Sequence, residues 1–386
     1  MAEAGAGAPR VSLLACGDYR PDTVLPAMRR LLAPLGGMEA FIPRGGRVVL
    51  KPNLVMGRPP ERAVNTHPEI VRAAARLALE AGAGRVAIGD SPGVGSASSA
   101  ARAAGYAAAA EEMGLEIIEF TPVGIATPEL PFPRLEAARE LLEADAVVNL
   151  PKLKTHSQML LTLAVKNLFG GVPGARKLQW HYRAGRDRPL FARVVNAAAA
   201  RIRPALSILD AVIGMDGAGP TAGRARPAGF LAAGTDPWAV DAAVMDVLGL
   251  EREKLFTLAA AIGHGPREWL DLRLAGPNPA DLRPPDWDIP ELRTLQMHGG
   301  FVERRLPFLA RRLRSGIAPA PLPNALCNGC GHCRDICPAK AIRLAGGRPA
   351  VVDLDCIRCY CCHELCPLGG MDIRPAGLLA RLLGLG

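Results

Sequence analysis

The sequence has 386 residues, of which 49% are apolar, and its formal net charge is +9. This length predicts about two or three domains, and the apolar content is enough to form a core for the larger one, so disorder is not implied. Aromatic residues make up only 4% of the chain, so few side chains could stack on bases, and no DNA- or RNA-binding motif is present. The basic charge is therefore not interpreted as a nucleic-acid site.

The first apolar run is short and ends at Cys16-Gly17, which superficially resembles a lipoprotein cleavage site. The run covers only residues 11–15, and the segment before it carries Glu3 and a single arginine, so we predict a buried first strand instead of a signal peptide. No later stretch approaches the roughly 20 apolar residues of a membrane helix. We predict a cytoplasmic protein without a transmembrane segment, and we leave peripheral membrane contact open.

Short runs rich in Val and Ile alternate with longer helical patterns along the chain. The runs predicted as strands are residues 47–55, 85–90, 115–120, 146–150, 205–214 and 229–234. The helical patterns cover residues 67–83, 97–114, 188–201 and 237–250. Strands separated by helices predict an α/β domain over residues 1–280, with a mostly parallel sheet and helices on both faces.

Lysines are rare and clustered in this chain. Only seven of the 46 basic residues are lysines, and four of the seven stand in the motifs KPN, NLPKLKTH and VKNLFG. An ammonium is a compact, strongly hydrated charge that a guanidinium does not replace. The motifs therefore predict a site for a small carboxylate or phosphate, lined by Lys51, Lys152, Lys154 and Lys166 with Asn53, Asn149 and Asn167 as uncharged partners. The alternative is that these lysines are ordinary strand-end charges that reach solvent.

His156 is the candidate for general acid or base chemistry, together with Lys152 and Lys154, because the ordinary pKa of histidine lies near neutrality. A purely structural histidine is the alternative. Two glycine-rich stretches carry acidic residues, Asp90 in GDSPGVGS and Asp216 in GMDGAGPTAG, which could pair with the lysines or bind a cation. Neither stretch has the glycine spacing of a dinucleotide or P-loop site.

Residues 281–321 are rich in proline and arginine and are predicted as a linker. Within it, residues 301–316 have the rhythm of an amphipathic helix, which would dock on the protein, on a membrane surface or on an acidic partner. A short helix is predicted at 376–386.

Eight of the ten cysteines form two identical runs, C-x-x-C-x-x-C-x-x-x-C-P, at residues 327–338 and 356–367. This is the spacing of a two-cluster bacterial ferredoxin, in which the fourth cysteine of each run binds the other cluster. We predict an α+β ferredoxin-like domain at 322–375 with two 4Fe–4S clusters. One cluster is assigned to Cys327, Cys330, Cys333 and Cys366, and the other to Cys356, Cys359, Cys362 and Cys337. A disulfide framework and structural zinc fit this pattern less well, and Cys361 has no predicted ligand role.

The order of motifs resembles that of the DUF362 family of uncharacterised iron–sulfur proteins. The matching motifs are VSLLACGDY, RVVLKPNLV, a His-Pro pair at His67, GDSPG, NLPKLKTH, VKNLFG, a downstream His181 and LDAVIGMDGAGPTAG. The resemblance covers about residues 11–250 and implies an α/β domain joined to a cluster domain. The candidate substrate-binding residues are Lys51, Asn53, Asp90, Lys166, Asn167, His181 and Asp216.

Three functions are consistent with these patterns. In the first, an oxidoreductase passes electrons between its clusters and a small anionic substrate or cofactor. In the second, the chain is an electron-transfer or accessory subunit for a redox partner protein, without substrate chemistry of its own. In the third, His156 and a lysine catalyse a non-redox reaction, and the clusters are structural or sensory.

Overall fold

The computed structural model describes residues 10–174, 176–264, 271–290, 319–352 and 354–374. The chain divides into two compact units, Met1–Lys177 with Pro189–Ile289 and Leu178–Arg188 with Pro290–Gly386. The helices predicted at 301–316 and 376–386 lie outside the described residues. Among the residues described, no helix has the length and apolar character needed to cross a bilayer.

The first unit is built from twelve described strands and a set of helices. The strands are β1 (Arg10–Ala15), β2 (Arg47–Pro52), β3 (Arg85–Gly89), β4 (Glu116–Ile118), β5 (Pro122–Ala126), β6 (Arg134–Ala138), β7 (Ala146–Leu150), β8 (Lys152–His156), β9 (Leu160–Thr162), β10 (Leu206–Asp216), β11 (Arg224–Gly234) and β12 (Arg273–Ala275). The helices are α1 (Pro21–Leu32), α2 (Pro68–Glu80), α3 (Ala97–Ala103), α4 (Tyr106–Met113), α5 (Arg139–Leu142), α6 (Ala164–Leu168), α7 (Arg176–Ala184), α8 (Arg188–Ile202), α9 (Pro237–Leu248) and α10 (Phe256–His264). The residues of α7 from Leu178 and the first residue of α8, Arg188, belong to the second unit.

Ten of these strands form one sheet, with the order β12-β1-β11-β10-β7-β2-β3-β4 and with β8 and β9 attached beside β10. Strands β10, β7, β2, β3 and β4 are parallel neighbours, whereas β11 is antiparallel to both β1 and β10. The sheet is therefore mixed but mostly parallel, as the sequence predicted. The carboxyl ends of β2, β3 and β7 meet at one edge, and the motif residues lie just beyond them.

Successive side chains of the central strands pack on opposite faces. On one face, Leu50 and Val148 share a core with Met28 of α1 and Ile70 of α2. A second group of helices consists of α6, α8 and α9. Phe169, just after α6, lies edge-on to Phe191 of α8 with the ring centroids 5.3 Å apart, and α6 also contacts α9. The predicted α/β class with helices on both faces is confirmed.

Two local predictions were wrong. The single helix predicted at 97–114 is divided into α3 and α4 because Gly105 between them is left-handed, with φ of 83°. No strand was predicted at residues 152–156, but they form β8, which pairs with β10 and β9. A buried strand that carries two lysines and a histidine has no apolar signal, so the sequence pattern does not reveal it.

The second unit is small and of the α+β type. Its strands are β13 (Ala320–Pro323), β14 (Ile342–Ala345), β15 (Arg348–Val351) and β16 (Met371–Arg374), and its further helices are α11 (His332–Asp335) and α12 (Cys361–Glu364). The strands form two antiparallel pairs, β13 with β16 and β14 with β15. Each cysteine run passes through a loop into one of the two short helices. The core between them contains Cys333, Ile342, Cys362, Cys366 and Met371.

Candidate functional site

Lys51 is fully buried at the end of β2 and forms an ion pair with Asp90, which comes directly after β3. The Nζ atom lies 2.8 Å from Asp90 Oδ1, and Asp90 Oδ2 accepts a hydrogen bond from the Leu54 amide. Burial lowers the pKa of Lys51, and the Asp90 carboxylate opposes that effect. The pair packs under Gly170, where a Cβ atom would lie 2.3 Å from Asp90 Oδ1. The positive charge of Lys51 is thus compensated within the protein.

A second buried ion pair joins Lys152 of β8 to Asp210 of β10, with Nζ 2.7 Å from Oδ2. Burial lowers the pKa of Lys152, opposed by Asp210. The Tyr19 hydroxyl accepts from Lys152 Nζ at 2.7 Å and donates to Asp210 Oδ1 at 2.6 Å. A β-bulge between Ala211 and Ile213 accompanies the hydrogen bond that the Ile213 amide donates to the same hydroxyl, at 3.0 Å. The bulge thereby helps to hold Tyr19 in place.

His67 completes this group, which we call the Tyr19 cluster: Tyr19, His67, Lys152 and Asp210. The imidazole stacks on the Tyr19 ring with centroids 3.6 Å apart. Its Nδ1 accepts from the Glu69 amide at 3.2 Å and caps α2, so the proton of the neutral ring is on Nε2. Burial, with a further contribution from Lys152, lowers the pKa of His67 to about 4. His67 is therefore neutral at physiological pH.

The hydrogen-bonding capacity of Tyr19 is fully used inside the cluster. A phenol has one donor and two acceptor positions, and Asp210, Lys152 and Ile213 occupy all three. Burial, followed by the Asp210 charge, raises the pKa of Tyr19. In this arrangement Tyr19 links three segments of the chain, and it can contact a substrate only if one of these bonds is released.

The remaining predicted catalytic residues, Lys154 and His156, lie on the same strand as Lys152 and are also buried. Lys154 Nζ donates to the Val64 carbonyl at 2.7 Å. His156 Nδ1 accepts from the Gln158 amide at 3.1 Å, which places the proton of the neutral ring on Nε2. The alternative that Lys51, Lys152 and Lys154 are surface charges is wrong, because all three are buried.

The three asparagines of the motifs are linked by hydrogen bonds. Asn53 Nδ2 donates to Asn167 Oδ1, and Asn167 Nδ2 donates to Asn149 Oδ1, both at 2.8 Å. Asn149 Nδ2 in turn donates to Ser207 Oγ at 3.1 Å. The structure thus brings together three side chains that are far apart in sequence, in a chain of amides that we call the asparagine chain.

Helix α6 carries both Lys166 and Asn167, and its start is fixed by Asp241 of α9. The Asp241 carboxyl group accepts from the Ala164 and Val165 amides at 2.6 and 3.2 Å, and burial raises its pKa. The Lys166 ammonium lies 5.2 Å from the centroid of the Phe169 ring, within cation–π range.

Two predicted residues lie apart from this group. Asp216 pairs with Arg224 and Arg226 instead of a lysine. Burial acts to raise the pKa of Asp216, but these arginines and the Asp288 amide lower it overall. His181 is buried in the part of α7 that belongs to the second unit, whereas the other predicted residues of the α/β site belong to the first.

In the second unit the cysteines line two cavities. The first is lined by Cys327, Cys330, Cys333 and Cys366. The second is lined by Cys337, Cys356, Cys359 and Cys362. Each set contains three cysteines of one run and the fourth of the other, which is the grouping of the two predicted ligand sets.

The donors of both cavities suit an iron–sulfur cluster. All ten cysteines are free thiols. Backbone amides donate to two of the sulfurs, Ala341 to Cys337 and Gly370 to Cys366, at 3.3 and 3.1 Å, and such bonds stabilise cluster thiolates. Over the described ranges no three ligand side chains stand close enough to share a single metal ion. Four sulfurs spread around a wider cavity fit a cubane better than one zinc ion.

Comparison with known proteins agrees with this architecture. Residues 48–246 match the family model described as Domain of unknown function (DUF362). The chain belongs to the DUF362 family. Residues 322–367 of this DUF362 protein match a second family model, the 4Fe-4S dicluster domain, so it is an iron–sulfur protein.

Among curated relatives of this DUF362 protein, the Thylakoid-associated protein sll1697 of Synechocystis sp. is 41% identical over 284 residues, which are 73% of this chain and 88% of that protein. Among solved structures, a protein from Thermotoga maritima has a TM-score of 0.34, 11% identity and coverage of 55% of each chain. The lactate racemase apoprotein from Thermoanaerobacterium thermosaccharolyticum has a TM-score of 0.39 and 13% identity over 60% of this chain and 55% of that one.

Sequence reasoning missed Tyr19 and Asp210 of this DUF362 protein. Both stand inside motifs that carry the family resemblance, CGDY and LDAVIG, but neither motif contains a lysine. If Lys152 had been predicted as buried, a carboxylate partner such as Asp210 would have been expected, because a buried ammonium requires one. The sequence does not indicate which of the 37 acidic residues supplies it.

Proposed function

We propose that this protein is an iron–sulfur redox protein that holds two 4Fe–4S clusters, one in each cysteine-lined cavity. The observation that supports it is that each cavity is lined by the four thiols of one predicted ligand set. A bound cluster supplies one-electron chemistry. The clusters exchange electrons with a redox partner protein and with a small anionic substrate or cofactor at the α/β unit.

Iron content tests the cluster assignment. Anaerobically prepared wild-type protein should contain about eight irons per chain. Cys359→Ala should lose about half of the iron, and Cys361→Ala should keep all of it, because Cys361 is a buried thiol at the start of α12 that does not line either cavity. Wild-type protein without a reducible chromophore, or equal iron loss in both variants, would contradict the proposal.

A second candidate is an electron-transfer or accessory subunit without substrate chemistry. It is favoured by the compensation of Lys51 and Lys152 by Asp90 and Asp210, since a paired ammonium attracts an anionic substrate less strongly. The two candidates differ in how dithionite-reduced clusters are reoxidised. An oxidoreductase should be reoxidised by one member of a panel of small carboxylates and phosphates, and His156→Gln should slow that reaction. Reoxidation by a protein partner alone would support the accessory subunit.

The location of the protein is inferred from a relative. Because the 41% identical relative is named as thylakoid-associated, we propose that this chain is a cytoplasmic protein that attaches peripherally to a membrane. Cell fractionation should find it with the membranes and release it with high salt. Release only by detergent would contradict peripheral attachment.

A further inference from the structure

We propose that the second unit exchanges electrons with a small acidic ferredoxin-type carrier at the first cluster cavity. The apolar part of the docking face is formed by Leu326, Leu344 and Leu368, and the exposed Arg343 and Arg348 of the β14–β15 hairpin carry positive charge beside it. This inference rests on the proposed function, because it requires clusters in the cysteine-lined cavities.

The two cysteine loops differ in the residues on either side of the second ligand. Gly329 and Gly331 flank Cys330 in the first loop, and Arg358 and Tyr360 flank Cys359 in the second. All four have left-handed backbones, with φ of 75°, 79°, 57° and 58°. Glycine adopts this conformation without strain, whereas arginine and tyrosine do not. The first loop therefore has no side chains where the second loop has two large ones.

The large side chains of the second loop are held by other parts of the same unit. Tyr360 is buried, lines the second cavity and donates from its hydroxyl to the Pro319 carbonyl at 3.0 Å. Arg188 is hydrogen-bonded to Tyr360, and Arg186 Nη2 donates to the Cys356 carbonyl at 2.6 Å. The second cavity is therefore covered, and Cys359 and Cys362 are both buried.

The first cavity is closer to solvent. Cys330 is exposed, which no other described cysteine is. A Cβ atom on Gly329 would lie 1.9 Å from the Gly347 carbonyl oxygen, so the tip of the β14–β15 hairpin lies against this loop. Since electron transfer requires close approach, the exposed loop is the better place for a carrier to dock.

Apolar side chains surround this loop. Leu326 precedes Cys327 and is 64% exposed, and Leu368, which lines the cavity, is 44% exposed. Leu344 is 38% exposed and has a methyl group 3.5 Å from a Cβ atom built on Gly331. Half of the six exposed large apolar residues found in the described ranges thus belong to one small face. Exposed apolar clusters of this kind mark protein interaction sites.

The charge around the face selects the partner. Residues 319–352 contain four bases, Arg334, Lys340, Arg343 and Arg348, against one acid, Asp335, and all five are exposed. Residues 353–374 contain four acids and two bases, so the positive charge is concentrated in the part that carries the first loop. A positive face with an apolar centre is complementary to an acidic carrier. One electron passes from the reduced carrier to the first cluster, so the carrier is oxidised and the cluster reduced, each by one electron, without bond changes.

Stopped-flow mixing with a dithionite-reduced acidic plant-type ferredoxin tests the inference on the cluster-loaded full chain. At low ionic strength, Arg343→Glu with Arg348→Glu should lower the second-order rate constant about tenfold and weaken its dependence on salt. The matched control, Arg30→Glu with Arg44→Glu, makes the same change of net charge at exposed arginines of the first unit and should lower the rate less than twofold.

An equal loss of rate in both double variants would overturn the docking face, as would a wild-type rate that does not fall with salt. Iron content and direct reduction by dithionite are measured in each variant. Missing iron in the wild-type protein would show instead that the proposed function has failed.

Discussion

Tyr360 and Gly331 hold matching positions in the two cysteine loops, each directly after the second cysteine of its run, and both have left-handed backbones. A tyrosine in this conformation costs roughly 1 kcal/mol or more that glycine does not. The cost is offset by burial of the ring over the second cavity and by the hydrogen bond to Pro319. The same backbone turn thus serves an open loop in one half of the unit and a covered loop in the other.

Replacing Tyr360 with glycine should relieve the strain but uncover the second cavity. Loss of a large buried aromatic side chain costs about 3–5 kcal/mol, which exceeds the strain that is removed. We expect faster bleaching of the cluster absorbance in air. Tyr360→Phe is the control, since it keeps the ring and removes only the hydroxyl. Equal bleaching rates of Tyr360→Gly and wild type would show that the ring does not protect the cluster.

The Lys51–Asp90 pair should show strong coupling in a double-mutant cycle measured by urea unfolding. Asp90→Asn leaves a buried ammonium without its carboxylate, which costs about 3–5 kcal/mol, whereas Lys51→Met with Asp90→Asn should cost less than the sum of the single changes. Burial already depresses the pKa of Lys51, so the unfolded state of Asp90→Asn binds more protons. Its stability should rise with pH up to about 10.4. Additive effects would contradict the coupling.

Gly170→Ala should destabilise the same pair from the backbone side. The added Cβ atom would lie 2.5 Å from Lys51 Nζ, and both members of the ion pair are buried. Overpacking of this kind costs about 1–3 kcal/mol. Gly17→Ala is the matched control, because its Cβ atom would meet nothing within 4 Å and its φ is not positive. Equal unfolding free energies for the two variants would contradict the close approach.

His67 should make stability depend on pH between about 6.5 and 4. The folded-state pKa of about 4 lies below the ordinary value of 6.5, so the unfolded state binds the proton first and stability falls as pH falls through this window. After allowance for partial solvent exposure, the loss should be about 2 kcal/mol. His67→Asn keeps a cap for α2 but does not titrate. The unfolding free energy of His67→Asn should therefore not depend on pH in this window. If the variant keeps the pH dependence of the wild type, another group causes it.

The sequence was most informative where chemistry is local. Spacing within each cysteine run, together with the crossed fourth cysteine, predicted two ligand sets, and the cysteines of each set line one cavity. Strand β7 was predicted with the bounds it has. The α/β order followed from apolar runs alone. These signals are local because a cluster loop or a buried strand requires its own residues to have particular spacing and type.

The α/β site was predicted less well because burial of charge depends on distant partners. The lysine motifs predict anion-binding or solvent-facing side chains, but the partner of Lys152 is Asp210, 58 residues later, and the Tyr19 hydroxyl comes from the start of the chain. Pairing of this kind is fixed by strand order and by the bulge in β10, neither of which is visible in local sequence patterns.

The asparagine chain has a direction. Each Nδ2 group donates a hydrogen bond to the next residue toward Ser207, and the Oδ1 atoms of Asn167 and Asn149 accept from the residue on the Asn53 side. Turning one amide over would set two NH2 groups, or two oxygens, against each other where that amide meets a neighbouring amide. The orientation is therefore decided collectively, and position 207 must end the row with an oxygen that can receive a hydrogen.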